Sequence, residues 1–534
     1  MRRSLSGLLA FLAASPLVGQ APVTYEAAFP NRAHHEARID VRFEDVPAGP
    51  LEVRMSRASP GRYALHEFAK NVYGLVAVDG AGDTLTVTRP DPYSWLVHGH
   101  DGTVRVTYTL FGDRTDGTYA GIDLSHAHLN MPASFLWAPT QADRPIRIRF
   151  VLPPGEDWRV ATQLAPTTSP ETFTAPDLQY FMDSPTELSA FALREWTEPT
   201  AGGEPTIRFA LHHAGTPEQF DAYVALVQDV IKEHEAVFGE LPAFDHGTYT
   251  FIADYLPWAS GDGMEHRNST ILTSTRPLED ASLDLLGTVS HEFIHAWNVE
   301  RIRPAALEPF DFARANMSDA LWFAEGFTSY YDDLLITRAG IYDLDRLARS
   351  LGAAINTVVN SPGRALFSAA EMSMHAPFVD AATAIDPTNF GNTFISYYTW
   401  GAAIALGLDL TLRTEFDTDL DAYMRALWLR HGKPEVPYTL ADLRIVLGRV
   451  AGDDAFARRF FDRFVEGHEV PDYAALMAEA GLLLRPATPG AAFAGVASMD
   501  EDNGALVIAG TTRRGSPLYE AGLDRGDRIL AVVG

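Results

Sequence analysis

His291-Glu292-Phe293-Ile294-His295 is the stretch from which the rest of this chain is read. Two histidines four residues apart lie on one face of a helix, so both imidazoles can reach a single metal ion. Glu292 follows the first histidine and points toward the same edge, where the reacting water would sit. Zinc accepts imidazole nitrogen and, in catalytic sites, keeps one position open for water. With 17 His in 534 residues, chance supplies only about 0.03–0.04 such matches per chain, so the spacing carries meaning. From Leu285 to Asn298 the apolar residues Leu286, Val289, Phe293 and Ile294 or Trp297 recur at three- and four-residue steps. That predicts an amphipathic, mostly buried helix. Buried histidines beside a buried glutamate need partners for their polar atoms, and a metal supplies one.

A catalytic zinc takes a third protein ligand. Downstream, Glu325 stands in Leu321-Trp322-Phe323-Ala324-Glu325-Gly326-Phe327-Thr328-Ser329-Tyr330-Tyr331, within a run from about Ala320 to Thr337 that reads as helix and ends near Gly340. A glutamate flanked by Trp322, Phe323, Phe327 and Tyr331 is poorly placed in a core without a cation. The candidate metal ligands are therefore His291, His295 and Glu325, for one zinc per chain, with Glu292 as the base.

The chain is long enough for three or more domains. Met1-Arg2-Arg3 and the apolar run from Leu5 to about Val18 read as a secretory signal peptide, cleaved near Gly19 or Ala21, which makes the protein exported, periplasmic or secreted. No other run approaches a membrane span, so no membrane partner is expected once the signal is removed. There is no cysteine, which excludes disulfides and thiolate catalysis, and the net charge of −28 disfavours nucleic acid and anionic lipid as partners.

From about Pro22 to Trp196, short alternating segments such as Ala37–Phe43 and Thr103–Tyr108, separated by Pro and Gly turns, predict an antiparallel β domain. Gly202 to Thr206 form a joint into a strand at Ile207–Leu211. Pro217 to Glu240 then reads as a long helix with Phe220, Tyr223, Val224, Val227, Val230 and Ile231 inward. Strands are expected at Thr248–Tyr255 and Met264–Ser274, the latter an edge able to pair with an extended peptide. Helices dominate from Leu283 to Leu484.

His291 to Pro304, Leu321 to Leu335, Gly261-Asp262-Gly263-Met264-Glu265-His266 and Ser396-Tyr397-Tyr398-Thr399-Trp400-Gly401 together resemble the glycyl aminopeptidase family of PDZ-containing zinc metallopeptidases, related to the aminopeptidase N-like gluzincins. The resemblance implies a multidomain α+β chain. Its parts are a signal peptide (1–21), an N-terminal antiparallel β domain (22–206), a thermolysin-like gluzincin catalytic domain (207–345), an α-helical domain (346–488) and a partial C-terminal PDZ-like domain (489–534). Gly515–Leu523 and Gly526–Val532 are similar to a PDZ core. A full PDZ domain runs to about twice this length, so the sequence is expected to be truncated there.

The resemblance further implies an aminopeptidase that hydrolyses N-terminal residues of peptides through a metal-activated water, with Gly or Ala preferred. Met264-Glu265 matches the end of a Gly-x-Met-Glu type motif that anchors the substrate amine, although Asp262 stands at its glycine. Gly263 would allow close backbone approach. Tyr398 is expected to stabilise the oxyanion, with Tyr397 its neighbour and rival. In the usual Tyr-x-Lys-Gly pattern Trp400 replaces the lysine. Glu187, His126 and His128 lie in family-like segments and are expected to contact substrate. A zinc endopeptidase without an amine anchor and a non-catalytic peptide-binding protein are the alternative readings.

Overall fold

Alternation sets the first half of the chain. In strand Val23–Asn31, Val23, Tyr25 and Ala27 are buried while Thr24 is exposed, the period-2 pattern of a sheet with one face on a core. The computed structural model describes residues 20–380, 388–495 and 498–531, and the expected signal peptide lies, through residue 19, outside the described residues. Val23–Asn31 belongs to a seven-stranded sheet, pairing antiparallel with Glu36–Phe43 but parallel with Ile146–Val151. The β domain is thus mixed rather than wholly antiparallel. The long stretch of chain between the two parallel strands gives the crossover that such pairing requires. A four-stranded sheet follows, in the order Arg159–Thr162, Thr186–Ser189, His126–Leu129, Ala120–Ile122.

The catalytic half is built on a five-stranded sheet ordered Ala192–Thr197, Thr206–His213, Thr248–Tyr255, Ser269–Ser274, Asp262–His266. The three central strands run parallel and the two outer ones antiparallel to their neighbours. Two expectations shift here. Ala192–Thr197 joins this sheet, so the sheet starts before residue 207. Met264–Ser274 is not one strand but a hairpin turning at Arg267-Asn268, whose first arm, Asp262–His266, is the edge.

The sheet has two differently used faces. Ala253 and Leu272 pack toward the main core with the helices, whereas Ala210, Ile252, Met264 and Ile271 face the other way, onto Ala161 and Phe191. Against the first face lie helix Pro217–Phe238, capped by Thr216 and Gln219, and the motif helix Leu278–Ile294, for which His295 is the C-cap. The second expected helix is two: Leu321–Ala324 and Gly326–Arg338, with Glu325 at the break. Helix Tyr397–Glu415 crosses this break at glycine. A Cβ on Gly401 would overlap the carbonyl oxygen of Trp322, and one on Gly326 would overlap the backbone of Gly401. At the C-terminal end, Met499–Asp502, Ala505–Ile508 and Arg528–Ile529 form a separate three-stranded sheet. Among the described residues no helix is long and apolar enough to cross a membrane.

The glycine crossing makes a sharp prediction. Gly401→Ala forces backbone against backbone, which cannot relax by a rotamer change, so the expected loss is about 1–3 kcal/mol. Because the displaced backbone flanks Glu325, zinc affinity falls with it. Denaturant unfolding and zinc titration check both; an unchanged midpoint would show that these helices have room to slide apart.

Candidate metal centre

The motif helix and the helix break meet at three side chains. His291 and His295 present Nε2 to the same oxygen of Glu325, at 3.7 and 3.3 Å. Their other nitrogens are committed. His291 Nδ1 lies 3.3 Å from Asp332 Oδ2, and His295 Nδ1 donates to the Asn298 carbonyl at 2.7 Å. An acceptor behind each Nδ1 places the proton there, so both Nε2 lone pairs turn inward toward Glu325. Lone pairs facing a carboxylate are held together by a cation. Two imidazole nitrogens and one carboxylate oxygen with no sulfur are what a catalytic zinc uses. The cofactor is zinc, one ion per chain at this centre.

Glu325 is buried to 2 % exposure. Burial alone would push its carboxyl up, but His295 and His291 outweigh that and hold it well below the usual carboxylate range. Its second oxygen accepts from the Tyr63 hydroxyl, a residue of the N-terminal domain. Asn298 ties the segment after the motif helix to the break, its side-chain amide donating to Ala324 O at 3.0 Å and Thr328 Oγ1 at 3.1 Å.

Two more carboxylates face the same space: ligand atoms of Glu265, Glu292 and His295 all lie within 4.8 Å of one another. Burial pushes the Glu292 carboxyl up to about 7, opposed by His291 and His295 and reinforced by Glu265 and Glu325. Glu265 is raised as well, again chiefly by burial. Gly263 lets the edge strand reach the helix, since a Cβ there would overlap the Glu292 carboxylate. Tyr398 is half-buried with its ring 6.0 Å from that of His291, nearly parallel. Tyr397 instead is fully buried and donates to Asp380.

Several residues expected to contact substrate are buried. The Met264 side chain is fully buried on the opposite face of the sheet, with Ile271 and Phe191, because it alternates with Gly263 and Glu265. Glu187, His126 and His128 are 0 % exposed and form a cluster with His212 and Asp254. That cluster lies on the face of Ala210 and Ile252, away from the motif helix. Sequence reading missed Tyr63 and Asp332. Asp332 had a signal, being seven residues, two helical turns, beyond Glu325 on the same side. Tyr63 had none.

Residues 24–190 match the Peptidase M61 N-terminal domain, and residues 284–404 match M61 glycyl aminopeptidase. Among solved structures, an aminopeptidase N family protein from Idiomarina loihiensis aligns with a TM-score of 0.81 at 24% identity, covering 95% of this chain and 89% of that one. It establishes a common fold. An M1 zinc metallopeptidase from Deinococcus radiodurans, solved with a Tyr-Ser-Ala substrate, aligns at a TM-score of 0.48 and 15% identity over 84% of this chain and 94% of that one. No curated relative matches.

Outer partners of metal-bound histidines typically contribute 10–100-fold to affinity. Asp332→Ala should therefore weaken zinc binding by about 10–100-fold, while Glu325→Ala, which removes a ligand, should abolish retention through dialysis. Competitive titration with a chromophoric chelator measures both. Undiminished affinity in both variants would remove the zinc assignment.

Proposed function

The chain belongs to the M61 glycyl aminopeptidase family of zinc metallopeptidases, and from that premise we propose how its residues divide the work of an aminopeptidase. The carrying observation is Glu265, a carboxylate beyond those the metal needs, within 4.8 Å of Glu292 and His295 on an edge strand. An exopeptidase must recognise a terminal ammonium, and a buried carboxylate does so by a charge-assisted hydrogen bond. The edge strand would offer those of its backbone groups that Arg62 does not engage to the first residues of an extended peptide.

His291, His295 and Glu325 would hold zinc, which when bound supplies a Lewis acid for the scissile carbonyl and lowers the pKa of water to about 7. Glu292 takes the proton of the attacking water at its carboxylate and returns it to the departing amine. Burial raises this carboxyl, the direction that favours both transfers near neutral pH. Tyr398 would donate its hydroxyl to the developing oxyanion. It stacks beside His291, whereas its rival Tyr397 already spends its hydroxyl on Asp380. Such a donor contributes about 10²–10³ in rate.

The preference for N-terminal Gly or Ala rests on family likeness. Export to the periplasm or medium rests on the signal-like run at residues 1–18, and the domain limits 22–206, 207–345, 346–488 and 489–534 rest on the segment patterns together with family likeness. A PDZ-like unit at the C-terminal end is supported by its three-stranded sheet and the short helix Pro517–Glu520.

Two experiments test this division. Glu292→Gln should keep zinc yet lose several orders of magnitude in kcat, with Tyr398→Phe losing about 10²–10³-fold and Tyr397→Phe far less. A selective loss in Tyr397→Phe would reverse the tyrosine assignment. Removing the partner of a buried charge costs about 2–5 kcal/mol, so Glu265→Ala should lower kcat/KM by roughly 30-fold or more, and N-acetylated peptides should be refused. Equal cleavage of acetylated and free peptides would mean an endopeptidase.

A further inference from the structure

On the far face of the catalytic sheet, ionisable side chains from four strands converge where the N-terminal domain packs on it. His126 and His128 come from strand His126–Leu129, Glu187 from Thr186–Ser189, His212 from Thr206–His213 and Asp254 from Thr248–Tyr255. Register explains the convergence, since Glu187 pairs with His128 and His212 pairs with Asp254. Two strands are contributed by each domain.

One ligand atom from each of His126, Glu187, His212 and Asp254 lies within 4.8 Å of the others. His126 Nδ1 is 3.5 Å from both Glu187 Oε1 and Asp254 Oδ1. His212 Nδ1 is 3.8 Å from Glu187 Oε1 and 3.4 Å from Asp254 Oδ1. Ligand atoms about 2.0–2.1 Å from a tetrahedral ion lie about 3.3–3.4 Å apart, close to these distances. Charge-assisted hydrogen bonds would be shorter, about 2.7–2.9 Å. His128 brings a fifth donor, its Nδ1 3.0 Å from Asp254 Oδ2 and 3.7 Å from Glu187 Oε2.

The hydrogen bonding is incomplete in a telling way. Nδ1 of all three histidines and both oxygens of Glu187 and of Asp254 are buried without any hydrogen-bond partner. The outward nitrogens are engaged: His128 Nε2 lies 2.9 Å from the Asp116 carbonyl and His126 Nε2 3.3 Å from Thr115 Oγ1. A carbonyl accepts only, so His128 carries a proton on Nε2, and in the neutral, metal-binding ring its Nδ1 lone pair faces inward. Unpaired buried carboxylates are strongly destabilising. A cation among the four ligand atoms satisfies His126 Nδ1, His212 Nδ1, Glu187 Oε1 and Asp254 Oδ1 at once, and leaves His128 Nδ1 facing Asp254 Oδ2.

We propose that His126, His212, Glu187 and Asp254, with His128 beside them, bind a second divalent transition-metal ion, distinct from the zinc of the peptidase centre. Imidazole and carboxylate donors without sulfur suit Zn2+, Fe2+, Mn2+ or Ni2+, and metal analysis tells them apart. The site is closed: four of the five groups are 0 % exposed and the His212 side chain only 15 %. Its ion is therefore structural, clamping the N-terminal domain to the catalytic sheet and so holding Tyr63 against Glu325.

The test separates the two ions. In full-length protein purified without an affinity metal, elemental analysis should find two ions per chain in wild type and one in the double variant His295→Ala/Glu325→Ala. In that double variant a strong chelator should lower Tm by several degrees, and the metal found by analysis should restore it. His212→Gln, a change at the rim of the site, should lose the second ion while circular dichroism shows an intact fold. The proposal is overturned if the double variant holds no metal after equilibration with all four ions, or if its Tm is indifferent to chelator. Either result would make these histidines imidazolium partners of Glu187 and Asp254.

Discussion

A carboxylate buried among aromatic rings must be met by positive charge or it will not stay ionised, and Glu325 is where this molecule is bound by that rule. Trp322, Phe323 and Phe327 surround it in sequence and are fully buried. A buried charge stripped of its partner costs about 3–5 kcal/mol. The two motif histidines, the ion they imply and the Tyr63 hydroxyl are the answers to that cost. The backbone answers too: the helix breaks at Glu325 itself, and the glycine contact between residues 326 and 401 brings a second helix close enough to fix the break. The position of one carboxylate thus links the motif helix, the helix break, the crossing helix and a loop of the other domain.

Residues related by helical period were legible in the sequence. His291, Glu292 and His295 declare themselves by spacing, and Glu325 by being an acid in an apolar run. The edge strand carrying Glu265 was visible, although its hairpin turn was not, because Arg267-Asn268 carries neither glycine nor proline. Contacts made across domains left no trace. Tyr63 lies 262 positions from Glu325, and nothing local distinguishes it from any loop tyrosine. The side-chain period of a strand also worked against the reading of Gly263-Met264-Glu265, since neighbours on a strand point to opposite faces. Family-like segments around His126 and Glu187 were read as substrate contacts, whereas in three dimensions they face inward.

The catalytic sheet therefore carries ionic chemistry on both faces. Gly263 and Glu265 look toward the motif helix; Asp254 and His212 look toward the N-terminal domain. Central strands normally bury apolar side chains on both faces, so His212 and Asp254 are conspicuous. A sheet with fixed polar groups on each side is pinned in register, because slipping by one residue would send a carboxylate into the opposite core.

The loop from Ser59 to Tyr63 has a consequence of its own. Gly61 lies so close to the edge strand that a Cβ there would overlap Met264 and crowd the Glu265 carboxylate, and Arg62 binds Asp262 and the Gly263 carbonyl. With Glu265 as the amine anchor, this loop is a wall set just beyond the substrate's first residue. The ruler that finds the end of a peptide then belongs to one domain and the blade to another. On that proposal, exopeptidase character would depend on how two domains are docked as well as on the zinc site, and a chain with the same blade and a receding wall would be expected to cut in the middle of its substrates.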